Sequence, residues 1–247
     1  MNPDTTVDPA EVEKFAAMAA TWWDTEGPFR PLHQINPIRL RFIRDRLAAR
    51  FDRDPNGERP LEGLRIVDVG CGGGLLAEPL TRMGASVTGI DATGKNIGIA
   101  STHATEMGLD IDYRVATAEA LHAAGEQFDA VLNMEVIEHV ADVDAFLAAT
   151  AGLTRPGGLM FLATLNRTAK SYVLAIVGAE YILRWLPKGT HDWRRFVKPS
   201  ELAGGLRTAG MNVVEFSGVT FNPITDRWSL APKDLDVNYV AVAEKSE

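Results

Sequence analysis

From Glu11 to Trp23 the apolar residues Val12, Phe15, Ala16, Ala19 and the Trp22-Trp23 pair recur at three- and four-residue steps. That spacing puts them on one side of a helix. A second helix is predicted after Pro37, carrying Ile38, Phe42, Ile43 and Leu47 inward and ending before the polar loop 52–57. Past residue 60 the period changes. Short β-rich apolar runs at 64–69, 86–90, 111–115, 128–132 and 158–164 predict strands, and the stretches 75–83, 94–107 and 143–153 between them predict helices. Such alternation implies a parallel sheet with helices on both faces. Toward the C-terminus it breaks down: 200–208 reads as a helix, and 211–219 and 236–243 as a closing antiparallel pair of strands.

Composition narrows the class. With 247 residues, 46% of them hydrophobic, the chain can bury one sizeable core and falls short of two average domains. No run of about 18 apolar residues occurs, so no membrane-spanning helix is expected. A net charge of -8 argues against wholesale binding to a nucleic-acid backbone, where basic excess supplies the affinity. The single cysteine, Cys71, supports neither a disulfide nor a thiolate metal site, which fits a reducing, cytoplasmic compartment. Residues 1–9 carry acids and prolines rather than the basic start and apolar stretch of a signal peptide, and read as a flexible lead.

The candidate chemistry begins where the first predicted strand runs into Gly70-Cys71-Gly72-Gly73-Gly74 and a helix opens directly after. Glycines at a strand-to-helix turn permit backbone angles a Cβ would forbid and let a ligand lie against the main chain. The spacing is G-x-G-x-G, with Leu75 where a dinucleotide fingerprint needs glycine, so a dehydrogenase is disfavoured. Asp91, ending the second strand, can accept hydrogen bonds from ribose hydroxyls. Asp68 is an acid inside an apolar strand and implies a cationic or hydrogen-bonding partner. An acidic glycine loop suits S-adenosylmethionine, which has an ammonium and a sulfonium and no phosphate.

The run Val67-Asp-Val-Gly-Cys-Gly-Gly-Gly74, then Asp91, then Ala118-Glu119, then the Pro156-Gly157-Gly158 turn resembles the class I S-adenosylmethionine-dependent methyltransferases. That resemblance implies a Rossmann-like α/β fold with a mostly parallel seven-stranded sheet. Many relatives carry an Asp where this chain has Thr117, which moves the expected adenine contacts to the Ala118 backbone and Met134. A narrower likeness covers nearly the whole chain. Trp22-Trp23-Asp24, Pro31-Leu-His-Gln-Ile-Asn-Pro-Ile-Arg39, Met134-Glu-Val-Ile-Glu-His-Val140, Thr164-Leu-Asn-Arg167 and Pro187-Lys-Gly-Thr-His-Asp192 are similar to the ubiquinone-biosynthesis O-methyltransferase family, UbiG. So are Val177-Gly-Ala-Glu-Tyr-Ile-Leu183, Phe221-Asn-Pro-Ile-Thr225 and Asp236-Val-Asn-Tyr239. This resemblance implies methylation of a ring hydroxyl on polyprenylated phenols or catechols at two steps of ubiquinone synthesis. It assigns methyl-donor contacts to Arg39, Gly70, Asp91 and Met134, beside the loop residues Asp68, Gly72, Gly74, Ala118 and Glu119. Other ubiquinone-biosynthesis enzymes become conceivable partners.

A phenol with a pKa near about 10 is only about 0.1% ionised at pH 7, so making the phenolate costs about 4 kcal/mol. A base or a cation is expected. Glu135, Glu138 and His139 stand at i, i+3 and i+4, one face of a predicted helix after the fourth strand. Two carboxylates and an imidazole suit a general base, a divalent ion such as Mg2+ held at Glu135, Glu138 and His139, or simple shaping of the pocket. His191 and Asp192, adjacent on a loop, point apart and read as a polar pair.

Between the fifth strand and the next helix, Tyr172, Val173, Ile176, Val177, Tyr181, Ile182, Trp185 and Leu186 recur at helical steps within residues 170–187. Residues 182–198 hold Arg184, Lys188, Arg194, Arg195 and Lys198 against the single acid Asp192. An amphipathic, basic, aromatic-ended segment suits a lid or an anionic membrane surface, here the inner membrane face. The chain thus divides into N-terminal helices (1–60), a cofactor-binding core (61–165), the inserted segment (166–198) and a C-terminal helix with closing strands (199–247), all one domain. The rival functions are a non-catalytic S-adenosylmethionine-binding assembly subunit and a methyltransferase acting on another hydrophobic phenol.

Overall fold

The computed structural model describes residues 5–174, 176 and 192–247. Its strands are β1 (Arg65–Val69), β2 (Ser86–Asp91), β3 (Asp112–Val115), β4 (Phe128–Met134), β5 (Thr154–Leu165), β6 (Met211–Asn222), β7 (Arg227–Ala231) and β8 (Asn238–Lys245). They form one sheet in the order β3-β2-β1-β4-β5-β8-β6-β7. The first five run parallel, and β8 lies antiparallel between β5 and β6. The helices are α1 (Pro9–Met18), α2 (Arg30–Arg50), α3 (Ala77–Arg82), α4 (Gly94–Glu106), α5 (Ala118–Ala123), α6 (Val143–Leu153), a single turn α7 (Ala169–Ser171) and α8 (Pro199–Thr208).

Strands buried on both faces need apolar residues at every buried position, and past the exposed Arg65 β1 meets that need except at Asp68. Val67 and Val69 pack with Leu121, Phe146 and Leu206 from α5, α6 and α8. Ile66, on the other face, packs with Phe42, Leu47 and Leu80 from α2 and α3. Strand order reverses between β1 and β4, and the carboxyl ends on either side of such a switch frame a ligand crevice.

Four local expectations change. The first helix ends at Met18 and a 3-10 turn, Ala19–Thr21, follows, which frees Trp22 to turn toward the glycine loop. The second helix starts at Arg30 with Pro31 in its first turn, and Pro37 lies inside it. Proline there removes the donor for the His33 carbonyl and costs about 3 kcal/mol or more. The buried stripe of Ile35, Phe42, Ile43 and Leu47 offsets that cost at about 1.5–3 kcal/mol per side chain. Third, the sheet has eight strands rather than seven, because β6 runs on to Asn222 and turns back as β7, whose Trp228 and Leu230 pack on the α2 side of the core. Fourth, the expected helix does not start directly after β4: Ile137–His139 is a 3-10 turn, Glu135 takes a left-handed backbone, φ 58°, and α6 begins only at Val143.

Among the described residues no helix is long and apolar enough to cross a membrane. Most of the expected amphipathic insertion, residues 175 and 177–191 with His191, Arg184, Trp185 and Lys188, lies outside the described residues. Its start does not: Tyr172, Val173 and Leu174 are about half exposed.

Candidate active site

The glycine loop is built by backbone geometry. Gly70, Gly72 and Gly74 sit at φ 69°, 54° and 88°, the left-handed region that an L side chain enters at a cost of roughly 1–2 kcal/mol. Gly70 N and Cys71 N both donate to Ile90 O, at 2.8 and 3.0 Å, which ties the loop to β2. Close packing gives a second reason for glycine. A Cβ on Gly72 would stand 2.4 Å from Trp22 Cζ2, because the Trp22 indole lies on the loop. Trp22 Nε1–H donates to Asn96 Oδ1 at 2.9 Å, and Trp23 Nε1–H donates to Gly73 O at 3.0 Å.

Asp91 ends β2 beside this loop. Its Oδ2 accepts from Gly72 N (3.1 Å) and Asn96 Nδ2 (3.2 Å), and Oδ1 accepts from Thr93 N (2.7 Å). Burial raises its pKa against those donors. Asp68 is more deeply buried, and desolvation together with the Asp91 charge pushes its pKa up to about 7 while Arg39 pulls the other way. The cation expected near Asp68 is therefore Arg39. The Arg39 guanidinium, itself buried, donates through Nη2 to Glu135 Oε1, and its Nε has no hydrogen-bond partner among the described residues.

A cavity of 660 Å³ opens at these strand ends, lined by Arg39, Gly70, Asp91, Met134, Glu135 and His139. Its remaining wall is largely apolar and includes Phe15, Phe29, Leu174, Phe221 and Trp228. All four residues that the family resemblance assigned to the methyl donor thus face one space, although 95 residues separate Arg39 from Met134.

Other expected site residues stand behind the wall. Ala118 is buried beside the core, and Thr117 caps α5 by accepting from Ala120 N at 3.2 Å. Glu119 accepts from Thr6 N at 3.0 Å and from the Thr6 hydroxyl, so it anchors the N-terminal segment. Gly72 and Gly74 shape the loop from beneath, under Trp22 and the Tyr113 hydroxyl. Asp192 caps the 3-10 turn Trp193–Arg195, accepting from Arg194 N at 3.0 Å.

Glu135, Glu138 and His139 do not gather into one cluster as the predicted helix would have them. With a 3-10 turn in its place, Glu138 stays beside Glu135 while His139 turns away to α1. Glu135 pairs with Arg39. Glu138 is buried and accepts from Thr164 Oγ1 at 2.8 Å, and burial reinforced by the Glu135 charge holds its carboxyl pKa well above the usual carboxylate range. His139 Nδ1 lies 2.8 Å from Glu11 Oε2 of α1. Among the described residues no group of three His, Cys, Asp or Glu side chains could hold a metal ion. In this arrangement the three side chains are not turned to one centre, as the several donors of a divalent ion would be.

Glu11, Trp22 and Asn96 were not singled out for the site by the sequence. Glu11 is an ordinary acid in the first turn of an amphipathic helix, and its partner lies 128 residues away. The Trp22-Trp23 pair carried the one usable signal, two large aromatics at a helix end, which also suits plain core packing.

Comparison with known proteins follows the same lines. Residues 67–162 match the family described as Methyltransferase domain. The chain is 56% identical over 241 residues to the Ubiquinone biosynthesis O-methyltransferase of Brucella anthropi, covering 98% of this chain and 97% of that one. The protein of the same name from Sinorhizobium medicae is 58% identical with the same coverage. Among solved structures, the magnesium protoporphyrin IX methyltransferase of Synechocystis PCC 6803 with bound S-adenosylhomocysteine superposes with a TM-score of 0.65 at 20% identity, over 95% of each chain. The [4+2]-cyclase SpnF superposes at 0.57 with 19% identity, over 83% of this chain and 81% of that one. At such identities the likeness shows the fold alone, and a cyclase among the neighbours shows that this fold does not fix the reaction. Near-full-length identity above half does what the fold cannot, and the chain belongs to the ubiquinone biosynthesis O-methyltransferases, S-adenosylmethionine-dependent enzymes of the class I fold.

Proposed function

We propose that the acceptor is the ring hydroxyl of a polyprenylated phenol or catechol and that both O-methylations of ubiquinone synthesis are carried out at this site. The observation that carries the reading is the continuity of the cavity, which joins Asp91, Arg39 and His139 to an apolar wall at Leu174, Phe221 and Trp228. Such a wall suits a prenyl tail, each buried CH2 contributing about 0.8 kcal/mol.

S-adenosylmethionine supplies an electrophilic methyl carbon when bound. Arg39 would hold the methionine carboxylate, a pairing its planar fork favours, and Asp91 would accept the ribose hydroxyls. Met134, at the end of β4, would flank the adenine. His139 takes the hydroxyl proton as the ring oxygen bonds to the methyl carbon, and the carbon–sulfur bond breaks with its electron pair left on sulfur. Charge balances: a sulfonium is consumed and an imidazolium is formed.

The exposed Tyr172, Val173 and Leu174, with Arg194 and Lys198 exposed further along, support an anionic bilayer as the surface from which the tail enters. Arg195 adds less to that attraction, since it pairs with Asp8 at 2.8 Å. Flotation with anionic vesicles tests the contact, and Leu174→Asp should reduce retention.

The activity is tested with labelled methyl donor and a short-chain prenyl catechol. Methylated ring oxygen is expected, from the catechol and from the corresponding phenol. No product from protein that binds S-adenosylhomocysteine would leave a non-catalytic binding subunit. Product from simple phenols but not prenylated ones would move the substrate to another hydrophobic phenol.

A further inference from the structure

We propose that Glu11 is a positioning residue for the reaction: its carboxylate holds the His139 ring through Nδ1 and so fixes which imidazole nitrogen receives the hydroxyl proton. The proposal rests on the reading of His139 as the base. Glu11 Oε2 lies 2.8 Å from His139 Nδ1, and both side chains are mostly withdrawn from solvent, 23% and 14% exposed. A neutral imidazole that donates from Nδ1 carries its lone pair on Nε2, so the contact selects one tautomer. Once the ring takes a proton, the new charge forms beside a carboxylate in a half-dry site, where attraction exceeds its value in water. Phe15, one turn further along α1, meets the same ring edge-on at 5.1 Å and 87°, which limits its rotation.

Delivery of Glu11 is built into the N-terminal segment. Val7 forms an antiparallel bridge with Val140, the residue next to His139, and Ala141 N donates to Thr6 O at 2.8 Å. Thr6 is also tied to Glu119, and Asp8 both caps α1 through Ala10 N and pairs with Arg195. With Val7 opposite Val140 and α1 started by Asp8, Glu11 falls in the first helical turn opposite the imidazole. Its carboxyl pKa is lowered to about 2, chiefly by the hydrogen bond with His139, so the group is an anion throughout the working range.

The test compares wild type, Glu11→Gln, Glu11→Asp and His139→Ala for kcat, for KM of both substrates, for S-adenosylhomocysteine affinity and for the His139 ring-nitrogen resonances. Glu11→Gln keeps shape and removes charge. It should lower kcat about 10- to 100-fold, the range for lost orienting partners, with donor affinity unchanged. The His139 resonances should show a loss of the Nδ1–H tautomer, and Glu11→Asp should recover part of kcat. A change confined to Tm and KM, with kcat and tautomer as in wild type, would mean Glu11 only anchors α1 and would overturn the proposal. Full activity of His139→Ala would overturn the base assignment itself, and the proposal with it.

Discussion

Arg39 of α2 donates to Glu135 at the end of β4, so the guanidinium that would meet the donor's carboxylate is already held by a carboxylate of the protein. On the proposed role of Arg39, donor binding would exchange one charge-assisted hydrogen bond for another at a buried cation. Arg39→Met should weaken S-adenosylhomocysteine about 10- to 100-fold, the loss of one charged hydrogen bond of about 1.5–3 kcal/mol. Methylthioadenosine, which has no carboxylate, should bind within about two-fold of wild type, because only the Arg39 contact is removed. Calorimetric titration of both ligands measures the contrast.

Asp68 makes stability fall with rising pH. Its folded pKa of about 7 lies above the 3.8 of an unperturbed aspartate, so the folded protein binds the proton more tightly than the unfolded chain. Stability is then lost progressively as pH climbs from about 4 to 7, with an upper limit of about 4 kcal/mol. Asp68→Asn removes that dependence. Its Tm advantage over wild type should be small at pH 5 and largest at pH 8, read by thermal melts across that range.

Gly72 and Gly63 separate backbone strain from packing. Both adopt left-handed angles, φ 54° and 70°, but a Cβ on Gly63 meets nothing within 4 Å. Gly63→Ala should cost about 1 kcal/mol of strain. Gly72→Ala should cost about 2–4 kcal/mol, because the Trp22 indole must also leave the loop. Tryptophan fluorescence should shift in the second variant only, with stabilities taken from urea unfolding.

Burial and the Glu135 charge favour the neutral form of Glu138 in the folded protein, and glutamine is the neutral shape-match of a carboxylic acid. Glu138→Gln should stay within about 1 kcal/mol of wild type. Glu138→Ala should lose about 2–4 kcal/mol, since it opens a void and leaves the Thr164 hydroxyl unpaired. Equal losses in the two variants, measured by urea unfolding, would contradict the protonated assignment.

The sheet was legible because its signals are local. Runs such as Ile66-Val67 and Val131-Leu132 are apolar at consecutive positions only because both faces are covered, and the Gly70–Gly74 loop marks its turn by composition alone. The family, too, lay in contiguous stretches such as Pro31–Arg39 and Met134–Val140. Less legible was the turn after β4, where helical spacing of Glu135, Glu138 and His139 suggested one face. The left-handed Glu135 breaks that spacing, and no residue type announces it.

By itself, then, the sequence determined the parallel α/β architecture and the glycine loop with Asp91 after it, and it singled out Arg39, Met134, Glu135 and His139, which line the cavity. Only the tertiary structure decided their partners: Glu135 to Arg39 across 96 residues, His139 to Glu11 across 128, and Glu119 to Thr6 across 113. Periodicity and glycine content reflect forces acting within a few residues. Which carboxylate meets which cation depends on where remote elements cross, and that is set by burial of the whole core rather than by any short segment.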